Sequence, residues 1–454
     1  MPDEIHISVD TSEVIADTSR RQIGINLNYL RDDNRNLPNA RPIEDALVEM
    51  GVRYLRYPGG EKSDYYLWSL PPYDAPNPQV FDRRGEHGDS YKSGYAPGHH
   101  LLDFDGFMAV CLRVGAAPYV VIGATPIEGL ATGPITMQQY MDNAVSWVRY
   151  ANIVKKYGVK YWEIGNENWQ SLTADDCADL AVRFSRVMKI VDPAIKIGVS
   201  GNSRAYFETL LQKAGHDIDF LVASCYPCYE WRSYDYYAGK AEVNLIPSGV
   251  IEAIRDFGGG RFKDKIKVVA AEVNSWDWSQ DGWSTESNLG HALVTWEIFG
   301  QLLTNEMIDF GMLWTTRWMD YKGVGIANAL GPANELKLPG IALKIWGRFL
   351  LDKMVAVDRT ETLVNYASFD PPSGGLNLFL LNKGYRDQDV SLAIESKHEY
   401  GTGSLYRLKG TGQDDVSPAW LDSGTVSVVR NGLDNVTLPA TSFTVLTLNT
   451  IANP

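Results

Sequence analysis

The chain has 454 residues, 44% of them hydrophobic, which is enough to bury a large core and to build more than one domain. Its 42 Lys and Arg stand against 56 Asp and Glu, and a net charge of −14 leaves nothing to neutralise phosphates, so nucleic acid is excluded as a partner. No apolar run is long enough to span a bilayer, which excludes a membrane partner of the helical kind. The opening Met1-Pro-Asp-Glu4 has no signal-peptide pattern, so the chain as written is expected to be cytoplasmic, and secreted if a signal peptide has been removed. The four cysteines (Cys111, Cys177, Cys225 and Cys228) are too few for a disulfide scaffold. Cys225-Tyr-Pro-Cys228 has redox spacing but no further ligands nearby, so ordinary packing or one local disulfide is expected rather than a metal site. His99-His100 and His291 have no partners at metal spacing either, and no cofactor is expected.

The first predicted elements, Glu4–Val9 and Val14–Ala16, are short strands that precede the main fold. From about residue 22 to 350, short β-branched or aromatic runs then alternate with longer segments of helical period. The strands are Gln22–Asn28, Val52–Tyr57, Pro118–Ile122, Lys160–Gly165, Ile195–Ser200, Asp219–Ser224, Ile266–Ala271 and Asp309–Trp314. Between them lie helices such as Ile43–Met50, Phe104–Val114, Met137–Tyr157, Asp176–Val191 and Asn288–Thr304. Such alternation implies parallel βαβ units, and eight of them close into an α/β (β/α)8 TIM barrel. An open doubly wound sheet would carry a Gly-rich phosphate turn after its first strand, where Ile25-Asn-Leu-Asn-Tyr29 stands instead. After Leu351 come short strands, Thr362–Phe369, Leu376–Asn382, Val390–Ile394, Val426–Val429 and Ser442–Leu448, divided by Gly, Asn, Asp and Pro; they predict a β-sandwich. The expected organisation is residues 1–17 joining the sandwich, 18–353 forming the barrel and 354–454 forming the C-terminal β-sandwich.

Segments following the strands are long and aromatic. Pro58 to His100 holds Tyr65, Tyr66, Trp68, Tyr73, Tyr91 and Tyr95, and Tyr226 to Tyr237 holds five further aromatic residues after its first. Trp276, Trp278 and Trp283 follow the seventh strand, and Trp318 and Tyr321 the eighth. In a barrel these all fall on the C-terminal face, where active sites are built. Aromatic rings match the C–H faces of sugars, so a carbohydrate partner is the economical account, with a hydrophobic protein interface as the competing one.

Two carboxyl groups stand at strand ends. The fourth strand runs Lys160-Tyr-Trp-Glu-Ile-Gly-Asn-Glu-Asn-Trp169 and brings Glu167 to the rim; the seventh, Lys267-Val-Val-Ala-Ala-Glu-Val-Asn-Ser-Trp276, brings Glu272. A carboxyl pair at one barrel mouth suits glycosidic chemistry, in which one group protonates the leaving oxygen while the other attacks the anomeric carbon or activates water. Glu163, four residues before Glu167, faces the same way but lower in the barrel, and is read as a structural carboxylate paired with a cation such as Arg56.

On these residues the chain resembles the clan A retaining glycoside hydrolases, families 51 and 39 in particular, over nearly its whole length. Asn166-Glu167 is similar to the clan's Asn-Glu pair ending the fourth strand, and Glu272 to its nucleophile ending the seventh. Arg56-Tyr-Pro-Gly-Gly60, with Tyr66 and Trp68 behind it, resembles the family 51 pattern after the second strand. The resemblance implies catalysis by double displacement, with Glu272 as nucleophile and Glu167 as acid/base. The expected carbohydrate-binding residues are Asn166, Arg56, Tyr226, Trp314, Asn28, Glu61, Trp169 and Trp276, with no metal.

Departures bear on the substrate. Asn28 stands where family 51 has a Glu, Glu61 where Asn or Cys follows the glycine pair, and Ser224 where the clan often has His. The expected function is a retaining O-glycoside hydrolase acting on plant or algal polysaccharide, α-L-arabinofuranosidase-like. The alternatives are a β-glycanase of xylan, agar or cellulose type and a carbohydrate-binding barrel without turnover. A homo-oligomer is compatible with either.

Overall fold

The computed structural model describes residues 5–81, 99–124, 135–231, 233–240, 242–275, 287–318, 328–360 and 362–451. Among these, eight parallel strands close into a barrel: Ile23–Asn26, Tyr54–Tyr57, Ala117–Ile122, Tyr161–Ile164, Lys196–Ser200, Phe220–Cys225, Lys267–Val273 and Ile308–Leu313. Closure comes from pairing of the last strand with the first, Gly311 opposite Ile23 and Leu313 opposite Ile25. The sheet is therefore a barrel and not an open doubly wound sheet.

Alternation along the strands divides their side chains between two cores. Leu55, Val120, Ile122, Trp162, Ile164 and Val268 face the surrounding helices. Tyr54, Tyr119, Tyr161, Phe220, Val222 and Phe310 face the barrel interior and fill its lower layer. Tyr54 stacks on Phe310 with centroids 3.9 Å apart, and Tyr161 meets Phe310 edge-on at 5.1 Å. This aromatic floor closes the barrel below and leaves only its C-terminal mouth for chemistry. Glycine makes room for it: a Cβ on Gly198 would lie 1.9 Å from the Phe220 ring.

The helices start where their caps allow. Thr136 and Gln139 form a capping box before Met137–Val148, and Thr173 accepts from the Asp176 amide before Ala174–Val191. A π-helical turn, Arg149–Val154, continues the helix begun at Met137, which accounts for the long helical period seen in that stretch of sequence.

Nine further strands form one sheet, largely antiparallel, that folds over its own apolar face as a β-sandwich. The segment Ile5–Asp17 belongs to this sheet, antiparallel to Lys353–Val357 and parallel to Gln388–Glu395. Strands Tyr400–Lys409 and Gly432–Leu438 had no distinct sequence signal, because Gly, Ser and Asn interrupt their alternation. Leu376–Asn382 is buried along its whole length. Leu376, Leu378 and Leu380 face the sandwich interior, while Phe379 and Leu381 face the barrel. There Trp296 stacks on Trp346 and on Phe443, joining barrel helices to sandwich as one apolar mass.

Replacing Gly198 with Ala overpacks the barrel floor. The expected cost is about 1–3 kcal/mol of unfolding free energy, read as a lower midpoint in urea denaturation, whereas Gly158→Ala, with open space around its Cβ, should show only the smaller cost of its positive φ.

Candidate active site

Arg56 is the residue from which the mouth of the barrel is built. It lies on the inward parity of the second strand, directly above Tyr54, and is 1% exposed. All its donors are engaged. Nε and Nη2 donate to Glu163 Oε2 at 3.0 and 2.8 Å, and Nη1 donates to Asn26 Oδ1 at 2.9 Å and to Glu272 Oε1 at 2.7 Å. Nη2 also donates to Asn166 Oδ1 at 2.8 Å. One guanidinium thus holds residues of the first, fourth and seventh strands. The pairing of Arg56 with Glu163 that the sequence suggested and its bond to Glu272 belong to one arrangement. Burial raises the pKa of Glu163, and the opposing charge of Arg56 only partly offsets it.

Glu272 reaches the mouth because its strand is irregular. Val269 and Ala271 face the barrel interior, so alternation alone would turn Glu272 toward the helices. The register with the sixth strand slips between Ala270 and Glu272, and with the eighth between Ala270 and Val273. This bulge re-aims the side chain inward. Its second oxygen, Oε2, accepts from the Tyr226 hydroxyl at 2.7 Å. Both carboxylate oxygens are therefore held, one by a guanidinium and one by a phenol.

Glu167 is placed by a strained turn. Gly165 has φ +67°, and a Cβ there would meet Asn168 Oδ1 at 2.0 Å. Glu167 itself has φ 44° and ψ 47°, the left-handed region that a residue with a Cβ rarely occupies. Asn168 secures the turn by donating from Nδ2 to the Ile164 carbonyl at 2.8 Å, and the Asn166 amide donates to Asp64 Oδ1 at 3.4 Å. Glu167 remains partly open to the mouth, and Gln170 Nε2 donates to its Oε2 at 2.5 Å. Burial of its carboxyl and the nearby charge of Glu272 push its pKa up to about 8, against smaller opposing effects of Ser224, Arg56 and Gln170. The site thus holds one carboxyl that keeps its proton at neutral pH beside another whose two oxygens only accept.

The remaining residues picked out by sequence fall in different places. Asn28 is fully buried, with Nδ2 donating to the Arg317 carbonyl at 2.9 Å and Oδ1 accepting from the Leu30 amide at 3.1 Å, so both ends of its amide hold backbone. Trp314 is 2% exposed, its ring pressed onto Gly60, where a Cβ would lie 2.1 Å from it. Glu61 and Trp169 sit in short 3-10 turns after the second and fourth strands and are partly exposed. Trp276 lies outside the described residues, as do Tyr91, Tyr95, Trp278, Trp283 and Tyr321. Much of the loop aromaticity expected to line a cleft is instead packing. Tyr66 and Trp68 are buried against Tyr29, Trp147 and Tyr150, and Tyr234 and Tyr237 are buried near the sandwich, where Tyr237 donates to Glu297. No disulfide joins the described cysteines, and Cys225 Sγ donates to the Leu245 carbonyl, so the Cys225/Cys228 spacing marks no disulfide.

Sequence reasoning did not single out Asn26, Lys62, Asp64 or Gln170. Asn26 carried a signal, a polar residue on the inward parity of an otherwise apolar strand. Its Nδ2 donates to the Ala271 and Leu313 carbonyls at 2.8 and 3.2 Å, closing the seam between the ends of the barrel sheet. The other three lie in turns, where periodicity says nothing about facing.

No protein-family model matches the sequence. It is 27% identical over 195 residues to a probable alpha-L-arabinofuranosidase C of Aspergillus fumigatus, covering 38% of this chain and 35% of that protein. An intracellular exo-alpha-(1->5)-L-arabinofuranosidase of Streptomyces lividans is 25% identical over 295 residues, 57% of this chain and 42% of its own length. The chain thus matches well under half the length of these relatives. Among solved structures, an alpha-L-arabinofuranosidase from Thermotoga maritima superposes with a TM-score of 0.76, covering 98% of this chain and 99% of that one at 20% identity. The two share a fold. Among the described residues, no helix is long and apolar enough to cross a membrane.

Removing the guanidinium should expose how much depends on it. Arg56→Met leaves Glu163 and Glu272 buried without their cation, and the expected loss is about 3–5 kcal/mol of unfolding free energy. Adding Glu163→Gln to Arg56→Met should recover part of that loss, which denaturant titration of the single and double variants would check.

Proposed function

We propose that this chain is a retaining glycoside hydrolase, and more particularly one that acts as an α-L-arabinofuranosidase. The supporting observation is the split between its two carboxyl groups: Glu167 holds a proton to about pH 8, while Glu272 accepts from Arg56 and Tyr226 within reach of its charge. Two carboxyls with opposed environments at one barrel mouth divide the roles of acid and nucleophile. The arabinofuranosidase names of the Aspergillus fumigatus and Thermotoga maritima proteins support the choice of sugar.

The steps follow from the placements. A carboxylate oxygen of Glu272 attacks the anomeric carbon as the bond to the leaving oxygen breaks, and Glu167 gives its proton to that oxygen. The glycosyl-enzyme that results takes away the charge on Glu272, one of the two causes that raised the pKa of Glu167, so Glu167 becomes a base. It then removes a proton from water as the water oxygen attacks the same carbon, and Glu272 is released as carboxylate. Asn166 turns its Oδ1 to Arg56, leaving Nδ2 to donate to the sugar hydroxyl beside the reacting carbon. Tyr226 orients the nucleophile before attack.

Hydrolysis of an aryl α-L-arabinofuranoside followed by 1H NMR should show the retained anomer first; an inverted first product would overturn the mechanism. Glu272→Ala should abolish turnover, and azide should restore it with inverted configuration. Glu167→Ala should spare the first step for good leaving groups and accumulate glycosyl-enzyme as a burst, because such groups depart without a proton. Because Glu167 must be protonated in the free enzyme, kcat/KM should fall as pH rises through about 8.

A further inference from the structure

Gln170 closes the turn that carries Glu167. Its backbone amide donates to the Glu167 carbonyl at 3.0 Å, and Asn168–Gln170 is a single 3-10 turn. Side chains three residues apart eclipse in such a turn, which brings Gln170 back over Glu167. There Nε2 donates to Glu167 Oε2 at 2.5 Å. The turn is anchored on the fifth strand, where the Asn168 amide donates to Ser200 Oγ at 3.2 Å, and the Leu172 amide donates to the Asn168 carbonyl at 2.8 Å. Gln170 itself is exposed, so packing does not account for the placement of its amide.

A protonated carboxyl has one oxygen that carries the proton and one that only accepts. An amide N–H on Oε2 gives that oxygen the accepting part and leaves Oε1 to carry the proton. The same N–H binds more strongly once the carboxyl ionises, because hydrogen bonds to a charged acceptor are the stronger ones. Among the described residues, the groups that act on this carboxyl come from four sides. Glu272 stands on the seventh strand, Arg56 on the second, Ser224 and Tyr226 at the end of the sixth, and Gln170 in the turn. Glu272 opposes the ionised form, while Ser224, Arg56 and Gln170 favour it.

We propose that Gln170 is a positioning residue for Glu167: its amide fixes Oε2, leaves Oε1 to hand the proton to the leaving oxygen, and keeps the carboxylate in place when Glu167 turns base. This rests on the reading of Glu167 as the acid/base. In double displacement one carboxyl group must meet first the leaving oxygen and then water on the same face of the sugar. The left-handed turn fixes the backbone of Glu167, but its side chain can still rotate beyond Cβ. Gln170 removes that freedom at Oε2, so the group that gives the proton and the group that takes one back stay in one position.

The test is the pH profile of kcat/KM on an alkyl α-L-arabinofuranoside, whose leaving oxygen needs the proton, for wild type, Gln170→Met and Gln170→Lys, with thermal melts to confirm folding. Gln170→Met keeps the length of the side chain and removes the donor to the carboxylate, so the basic limb should move up by about half a pH unit. Gln170→Lys keeps a donor and adds a positive charge, so the limb should move down by about half a unit. Opposite shifts from one position are what a contact with the carboxyl group produces, and a merely structural role would move neither limb. A limb that stays at the wild-type pH in either variant overturns the proposal. So does one that moves down in Gln170→Met, since the amide would then accept from the acid. Glu167→Ala separates the two readings: undiminished turnover of the alkyl arabinofuranoside there overturns the acid/base assignment itself, whereas an inactive Glu167→Ala with unmoved limbs in the Gln170 variants overturns only the role of Gln170.

Discussion

The guanidinium of Arg56 is the interaction on which the mouth of this barrel depends. It sits where the aromatic floor ends, and its donors meet oxygens of four residues around the wall, Asn26, Glu163, Asn166 and Glu272. Burying a cation there is costly, and what makes it tolerable is that every donor is paired, two of them at Glu163 Oε2 and one at Glu272 Oε1. The same constraint works in reverse. Glu163 and Glu272 lie within reach of the same cation, so its removal leaves two buried carboxyl groups without their common partner. A structural ion pair and a functional one share an atom group, so stability and chemistry cannot be tuned separately at this position.

Above that layer the site is asymmetric by construction. Glu272 is placed by a bulge in an otherwise regular strand, Glu167 by a left-handed turn that only tight anchoring can hold. Donors converge on the first carboxylate, whereas the second is enclosed with few of them and faces the charge of the first. Burial and the neighbouring charge of Glu272, not any difference in side-chain chemistry, raise the pKa of Glu167.

Most of the aromatic residues belong to the scaffold. Tyr66, Trp68 and Trp147 brace the loop after the second strand, and Trp296, Trp346, Phe379 and Phe443 join the barrel to the sandwich. The doubly buried strand Leu376–Asn382 makes that junction continuous, each face serving one of the two cores. Gly60, Lys62 and Trp314 interlock between the turn after the second strand and the end of the eighth.

The sequence by itself determined the alternation of strands and helices, the change of pattern after Leu351, and the strand ends that carry Glu167 and Glu272, because hydrophobic period and capping are local properties. It also marked Arg56 as a charge on an inward parity, with Glu163 as a natural partner. Only the tertiary structure decided the rest. A bulge is invisible to a pattern of period two, so the facing of Glu272 had to come from its neighbours. Whether a loop aromatic lines a cleft or fills a core depends on residues far away in the chain, which is why Tyr66, Trp68 and Trp314 are packed where composition alone suggested sugar platforms. Lys62 and Asn28 show the same limit from the polar side. One is a buried ammonium over two indoles and the other an amide consumed by backbone, and neither fate is written in the residue's own type or spacing; each follows from which groups the closed barrel brings together.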